Sequence, residues 1–206
     1  MSAHQSFTRT LPHCSADRTW PVPTETQCRH LWETYAMPDH IRHHCEQVAL
    51  VAGFLARTGD AMGMSVDTPC VVACALLHDI AKSYTIVHAG NHSQLGASIV
   101  MQECGNPRIA QGVLHHVHWP WSIDVDRWFL PLSIIYADKR VMHDSIVTLD
   151  ERFDDLYARY GKTERIRQSI RESYEQAVAI ETAFSQRMGI PLHAYSSDRG
   201  RMVQRT

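Results

Sequence analysis

Seven residues of the chain combine metal-binding types with buried-looking positions: His44, His78, Asp79, His92, His115, His116 and Asp138. Asp79 follows the run ACALLH and Asp138 follows LSIIYA, each inside a segment that is otherwise apolar. An ionised carboxylate buried without a partner costs several kcal/mol or more, so such an aspartate must be hydrogen-bonded, protonated or bound to a cation. A single residue of this kind would be read as a satisfied core group or a helix end turned to solvent. Here the candidates come as a set. Imidazoles with carboxylates suit first-row metals such as Fe, Mn, Co, Ni or Zn, whereas Ca and Mg prefer all-oxygen shells. These ligands are too many for one metal with an open position, and they suffice for two, with Asp79 as a bridge and water completing each shell.

The elements that must position these residues are helical almost throughout. In PDHIRHHCEQVALVAGFLARTG, Asp39 is the expected N-cap and Gly59 the stop, and His44 shares the apolar stripe of positions 48, 51 and 55 while His43 falls on the more polar side. TPCVVACALLHDIAK, with Thr68 as cap and Pro69 at the first helical position, is apolar all round and reads as a helix buried on every side. A loop is expected at SYTIVHAGN, then a helix to Gly105, and another that opens on Asn106 and Pro107 and ends by Pro120. A buried helix over Leu132 to about His143 and two longer amphipathic helices follow, the last ending at Gly189. Strand signals are nearly absent. The fold class is all-α, a bundle of about six to eight helices. The expected organisation is a loosely ordered leader over 1–27, a helical domain over 28–160, a C-terminal helix packing on it over 161–190, and a tail over 191–206.

Composition narrows the class of partner. The formal net charge of -2 gives no reason to expect a nucleic acid polymer, so a small molecule is the expected ligand. No apolar run approaches the roughly 20 residues of a membrane helix, the N-terminus lacks the apolar core of a signal peptide, and a cytoplasmic protein is expected. The six cysteines are scattered without a C-x-x-C pair, which argues against a disulfide framework or a zinc knuckle. No Gly-rich phosphate loop is present.

His44 with CEQVA, then LLHDIAK, HSQLGA, LHHVHW and IIYADKR, in that order across about Asp39 to Arg140, resembles the HD superfamily of metal-dependent phosphohydrolases. His92 and the His115/His116 pair point to its dinuclear branch. There the resemblance implies that one metal takes His44, His78, Asp79 and Asp138, while the second shares Asp79 and adds His92, His115 and His116. Lys82 stands where family members place a lysine that contacts substrate phosphate. The branch that acts on cyclic dinucleotides continues its His-His pair into a Glu and a Gly-Tyr-Pro signature, and HHVHWPW has neither. The layout is closer to small stand-alone members, including symmetrical diadenosine tetraphosphate hydrolases.

The expected activity is hydrolysis of a phosphoester or phosphoanhydride of a nucleotide-like molecule, with two divalent transition metals, Fe or Mn foremost and Zn, Co or Ni as alternatives, clamping the phosphoryl group and activating a water. Asp79 and Lys82 are the expected catalytic residues, with Lys139 and Arg140 as further phosphate contacts or else a solvated helix end. His88, Asn91, His118 and Trp119 are candidates for the substrate pocket, the indole for base stacking. For Trp119 the competing expectation is a core plug, and for Asn91 a helix cap. Two rival readings are a di-iron oxygenase acting on an organic or phosphonate substrate and a module that senses nucleotides without turnover. The charge-alternating segments of residues 150–188 are read as a solvated surface that is also available for a homodimer contact.

Overall fold

The computed structural model describes residues 20–198 and 200–204. Its helices are α1 (Glu25–Thr34), α2 (Asp39–Ala61), α3 (Thr68–Leu77), α4 (Lys82–His88), α5 (His92–Cys104), α6 (Pro107–His115), α7 (Phe129–Lys139), α8 (Leu149–Tyr160) and α9 (Glu164–Met188). Two antiparallel hairpins complete it: β1 (Val141–Met142) with β2 (Ser145–Ile146), and β3 (Tyr195–Asp198) with β4 (Arg201–Gln204). The all-α class expected from the sequence is the one observed.

Helix α3 is the centre of the bundle because it has no polar face to present to water. It packs against α1, α2, α6 and α7, and seven of its ten residues are buried. Its cap is Asp67, whose side chain accepts from the Cys70 amide, so Thr68 is already inside the helix. Asn91 and Asn106 cap α5 and α6 in the same manner. Close approach of α6 to its neighbours depends on Gly112, where a Cβ would fall 2.4 Å from Leu130 Cδ2 and 2.5 Å from Cys74 Sγ. Gly112→Ala should therefore destabilise the protein by about 1–3 kcal/mol, read as a lower urea midpoint at unchanged slope.

Other boundaries differ from the sequence expectation: Asp39 lies inside α2 with Pro38 as cap, and the helix expected over Leu132 to about His143 is α7, Phe129–Lys139. The first 19 residues of the expected leader lie outside the described residues, but residues 25–27 are helical, because Thr24 and Gln27 form a capping box that starts α1. SYTIVHAGN is not a loop; most of it belongs to α4, which restarts the helix after the turn at residues 78–81. The expected tail after Pro191 contains a 3-10 turn and the β3–β4 hairpin. That segment is tied down by the buried Arg140 guanidinium, which donates to the Leu192 and Tyr195 carbonyls at 3.0 and 2.6 Å. Residues 68–88 are long and apolar enough by composition to cross a membrane, yet this stretch is interrupted by the turn at 78–81 and is mostly buried inside the bundle.

Candidate metal centre

The turn that ends α3 places His78 and Asp79 side by side at the middle of the molecule, both essentially inaccessible to solvent. Around them converge His44 from the first half of α2, His92 at the start of α5, His116 just past the end of α6, and Asp138 near the end of α7. Asp79 divides this set. Its Oδ2 lies 3.5 Å from His78 Nε2 and 4.0 Å from His44 Nε2, and its Oδ1 lies 3.5 Å from His92 Nε2 and 3.7 Å from His116 Nε2. Asp138 joins the first group, with Oδ1 at 3.0 Å from His44 Nε2 and 3.7 Å from His78 Nε2.

The main chain orients the imidazoles. The last carbonyls of a helix lack intrahelical partners. His78 Nδ1 lies 2.7 Å from the Ala75 carbonyl at the end of α3, and His116 Nδ1 lies 2.7 Å from the Val113 carbonyl at the end of α6. His44 Nδ1 is 3.1 Å from the His143 carbonyl. A carbonyl only accepts, so each Nδ1 carries a proton and donates, and each Nε2 is turned to face the cluster. Burial lowers the His78 imidazole, but Cys45, Asp79 and the contact with Asp138 outweigh it and raise it above its usual range. Burial pushes the His116 imidazole down to about 3 and lowers that of His92, so both remain neutral in the ordinary pH range. Burial by itself would raise Asp79, but His78, Lys82 and His116 outweigh it and hold the carboxyl below its usual range.

Two buried atoms of this cluster have no hydrogen-bond partner: His78 Nε2 and Asp79 Oδ1. One belongs to each side of the divided carboxylate, and an orphaned polar atom in a buried site costs about 1–3 kcal/mol. A cation on each side of Asp79 satisfies both, so the donors present fit a two-metal site. The geometry separates two groups, His44, His78 and Asp79, and Asp79, His92 and His116, whose ligand atoms lie within 4.8 Å of one another. Binding at 100 times the dissociation constant adds about 2.7 kcal/mol to stability. Stripping divalent metal with a chelator should accordingly lower Tm by about 5 to 10 °C, and Mn or Fe(II) should restore it.

The structure does not bring His88, Asn91, His115, His118, Trp119 or Arg140 to this cluster. His115, expected as a ligand, points away: its ring stands edge-on to Trp119 and Trp121, with centroids 5.5 and 5.0 Å apart. Adjacent residues at a helix end diverge by about 100°, and here His116 faces the cluster while His115 faces the tryptophans. Trp119 is not a stacking wall. It is buried, donates from Nε1 to the Ser122 carbonyl, packs on Trp121 and Trp128, and has its main chain clasped by the Gln176 amide. Arg140 is likewise structural, with its guanidinium spent on Tyr136, Val147, Leu192 and Tyr195. Asn91 is occupied as the α5 cap, His88 is exposed and lies against Tyr84, and His118 faces a separate groove beside α9. Lys139 lines that groove too, and its Nζ lies 2.7 Å from Asp138 Oδ2, steadying the carboxylate.

Lys82 does reach the site. Its Nζ is 2.7 Å from Asp79 Oδ2, and both residues line a cavity of about 420 Å³ that opens from the cluster to solvent. Further lining residues were not singled out in the sequence: Arg152, Asp155, Arg159 and Tyr160 of α8, and His143 in the β1–β2 turn. His143 has φ +59°, and this left-handed backbone conformation directs its carbonyl to His44 Nδ1 while its ring meets Arg159 Nη2 at 2.6 Å. Positions 152, 155 and 159 fall on one helical face, a signal present in the sequence that a solvated-surface reading passed over.

No curated protein and no solved structure matched the chain. The HD domain family matches residues 41–175, which carry every residue of the cluster and reach from α2 into α9. A histidine-aspartate doublet at a buried helix end, joined by a histidine and an aspartate from flanking helices of the same bundle, agrees with that match. The chain belongs to the HD-domain family, whose members are mostly metal-dependent hydrolases.

Proposed function

We propose that the protein is a metal-dependent phosphohydrolase that cleaves a phosphoester or phosphoanhydride of a small, nucleotide-like molecule. The observation that carries this reading is the division of Asp79 between two histidine groups beside a pocket lined by the Lys82 ammonium. His44, His78, Asp79 and Asp138 would hold one cation, and Asp79, His92 and His116 the other. Such cations, Mn or Fe foremost, supply Lewis acidity toward a phosphoryl oxygen and make a water nucleophilic near neutral pH.

The chain's own residues supply charge, orientation and shape. Burial pulls Lys82 down, but the nearby Asp79 and Asp138 outweigh it and raise its pKa, so the side chain remains cationic and available to phosphoryl oxygens. Backbone carbonyls hold the Nδ1 protons of His44, His78 and His116, which keeps these rings as ligands rather than proton donors to substrate. The described residues lining the pocket include no Ser, Thr or Cys, so no hydroxyl or thiol of these types stands there as an attacking group. A cavity of about 420 Å³ suits a small molecule.

The test is anaerobic phosphate release by the Mn-loaded protein from mononucleotides, dinucleoside polyphosphates and cyclic dinucleotides. Release that requires metal supports the reading. O2 uptake by the Fe(II) form without phosphate release would replace it with an oxygenase, and tight nucleotide binding without product would replace it with a sensor.

A further inference from the structure

The α8 wall of the pocket contains an unused hydrogen-bonding fork. Arg152 has a side chain 18 % exposed, and its contact with Asp155 Oδ2 is an ion pair at 3.6 Å. Its Nε is buried and makes no hydrogen bond, and Asp155 Oδ2 is equally without one. An arginine offers five donors in a fixed plane, so a half-buried guanidinium left in this state beside a cavity is poised for an acceptor the protein does not itself provide. Arg159, by contrast, is engaged: its Nε is 2.7 Å from Asp155 Oδ1, and its Nη2 is 2.6 Å from His143 Nε2. Two guanidiniums against one carboxylate leave the α8 part of the lining net positive, and Asp144 in the β1–β2 turn, which accepts from Ser145 Oγ at 3.3 Å, offsets this.

We propose that Arg152, held in place by Asp155 and Arg159, binds a second phosphoryl group of the substrate, while Lys82 and the metal cluster take the first. This rests on the phosphohydrolase reading and narrows it: the substrate is a small molecule with at least two phosphoryl groups, such as a nucleoside polyphosphate. The planar fork matches a phosphoryl group by two parallel N–H···O bonds, whereas Lys82 acts as a point charge. Both side chains line one cavity.

The experiment uses the full chain loaded with Mn at a fixed free-metal concentration. Calorimetry compares methylphosphonate, with one anionic group, and methylenediphosphonate, with two that cannot be hydrolysed apart. The wild type should prefer the diphosphonate, and Arg152→Gln should reduce that preference by roughly tenfold to a hundredfold. Arg152→Lys keeps the charge opposite Asp155 and loses the fork, so it should fall between them; it also carries the test if Arg152→Gln does not fold. An unchanged preference in these variants would overturn the proposal. Phosphate release measured in parallel separates the two readings. Arg152-dependent diphosphonate binding without any turnover keeps the subsite and removes the hydrolase. Turnover with a preference that ignores Arg152 keeps the hydrolase and removes the subsite, and a metal-loaded protein that binds neither probe overturns both.

Discussion

Asp79→Asn should purify as a folded helical protein that has lost most of its divalent metal and about a thousandfold in kcat/KM, equivalent to about 4 kcal/mol of transition-state stabilisation. The carboxylate presents one oxygen to His44 and His78 and the other to His92 and His116, and an amide retains only one oxygen for this task. Its NH2 would face one of the two histidine groups and repel a cation there. The same variant should lose the chelator sensitivity of Tm, because that sensitivity arises from ions bound only to the folded state. Metal analysis, circular dichroism and thermal melts with and without chelator check the three parts together. Wild-type metal content and turnover in Asp79→Asn would remove the centre as described.

A second expectation comes from the adjacent histidines, which a one-dimensional reading treats as equivalent. His116→Ala should drop metal content by about one ion per chain and kcat by roughly a hundredfold to a thousandfold, since its Nε2 stands 3.7 Å from Asp79 Oδ1 and 3.0 Å from His92 Nε2. His115→Ala should keep both metal and turnover and cost only about 1 kcal/mol, the scale of the ring contacts it makes with Trp119 and Trp121. Equal metal losses in the two variants would show that the end of α6 turns differently from the arrangement described.

Much of the site was legible because burial of charge is costly. An aspartate in ACALLHD and another in LSIIYAD stand out against apolar neighbours, and the need to compensate them pointed to a cation before any geometry was known. Helix identity was similarly readable at α3, α5 and α6, where Asp67, Asn91 and Asn106 each supply a cap, although in α3 the cap lies one residue earlier than Thr68. Short or polar segments were not legible. The capping box at Thr24 and Gln27 precedes a helix with few apolar residues, and the β3–β4 hairpin depends on Arg140, a residue whose sequence position next to Lys139 suggested a solvated charge.

The sequence by itself determined the all-α class, the buried doublet His78–Asp79 and the ligand types that surround it, because apolar periodicity and the cost of an unpaired buried charge are local properties of the chain. Only the tertiary structure decided which neighbouring residues face the cluster. His116 turns inward and His115 outward, Trp119 fills the core, Arg140 anchors the C-terminal hairpin, and Arg152 of α8 lines the pocket. The reason is geometric: a step of one residue rotates a side chain by about 100°, and whether that direction meets a metal ligand, a tryptophan or a cavity depends on helices distant in the sequence.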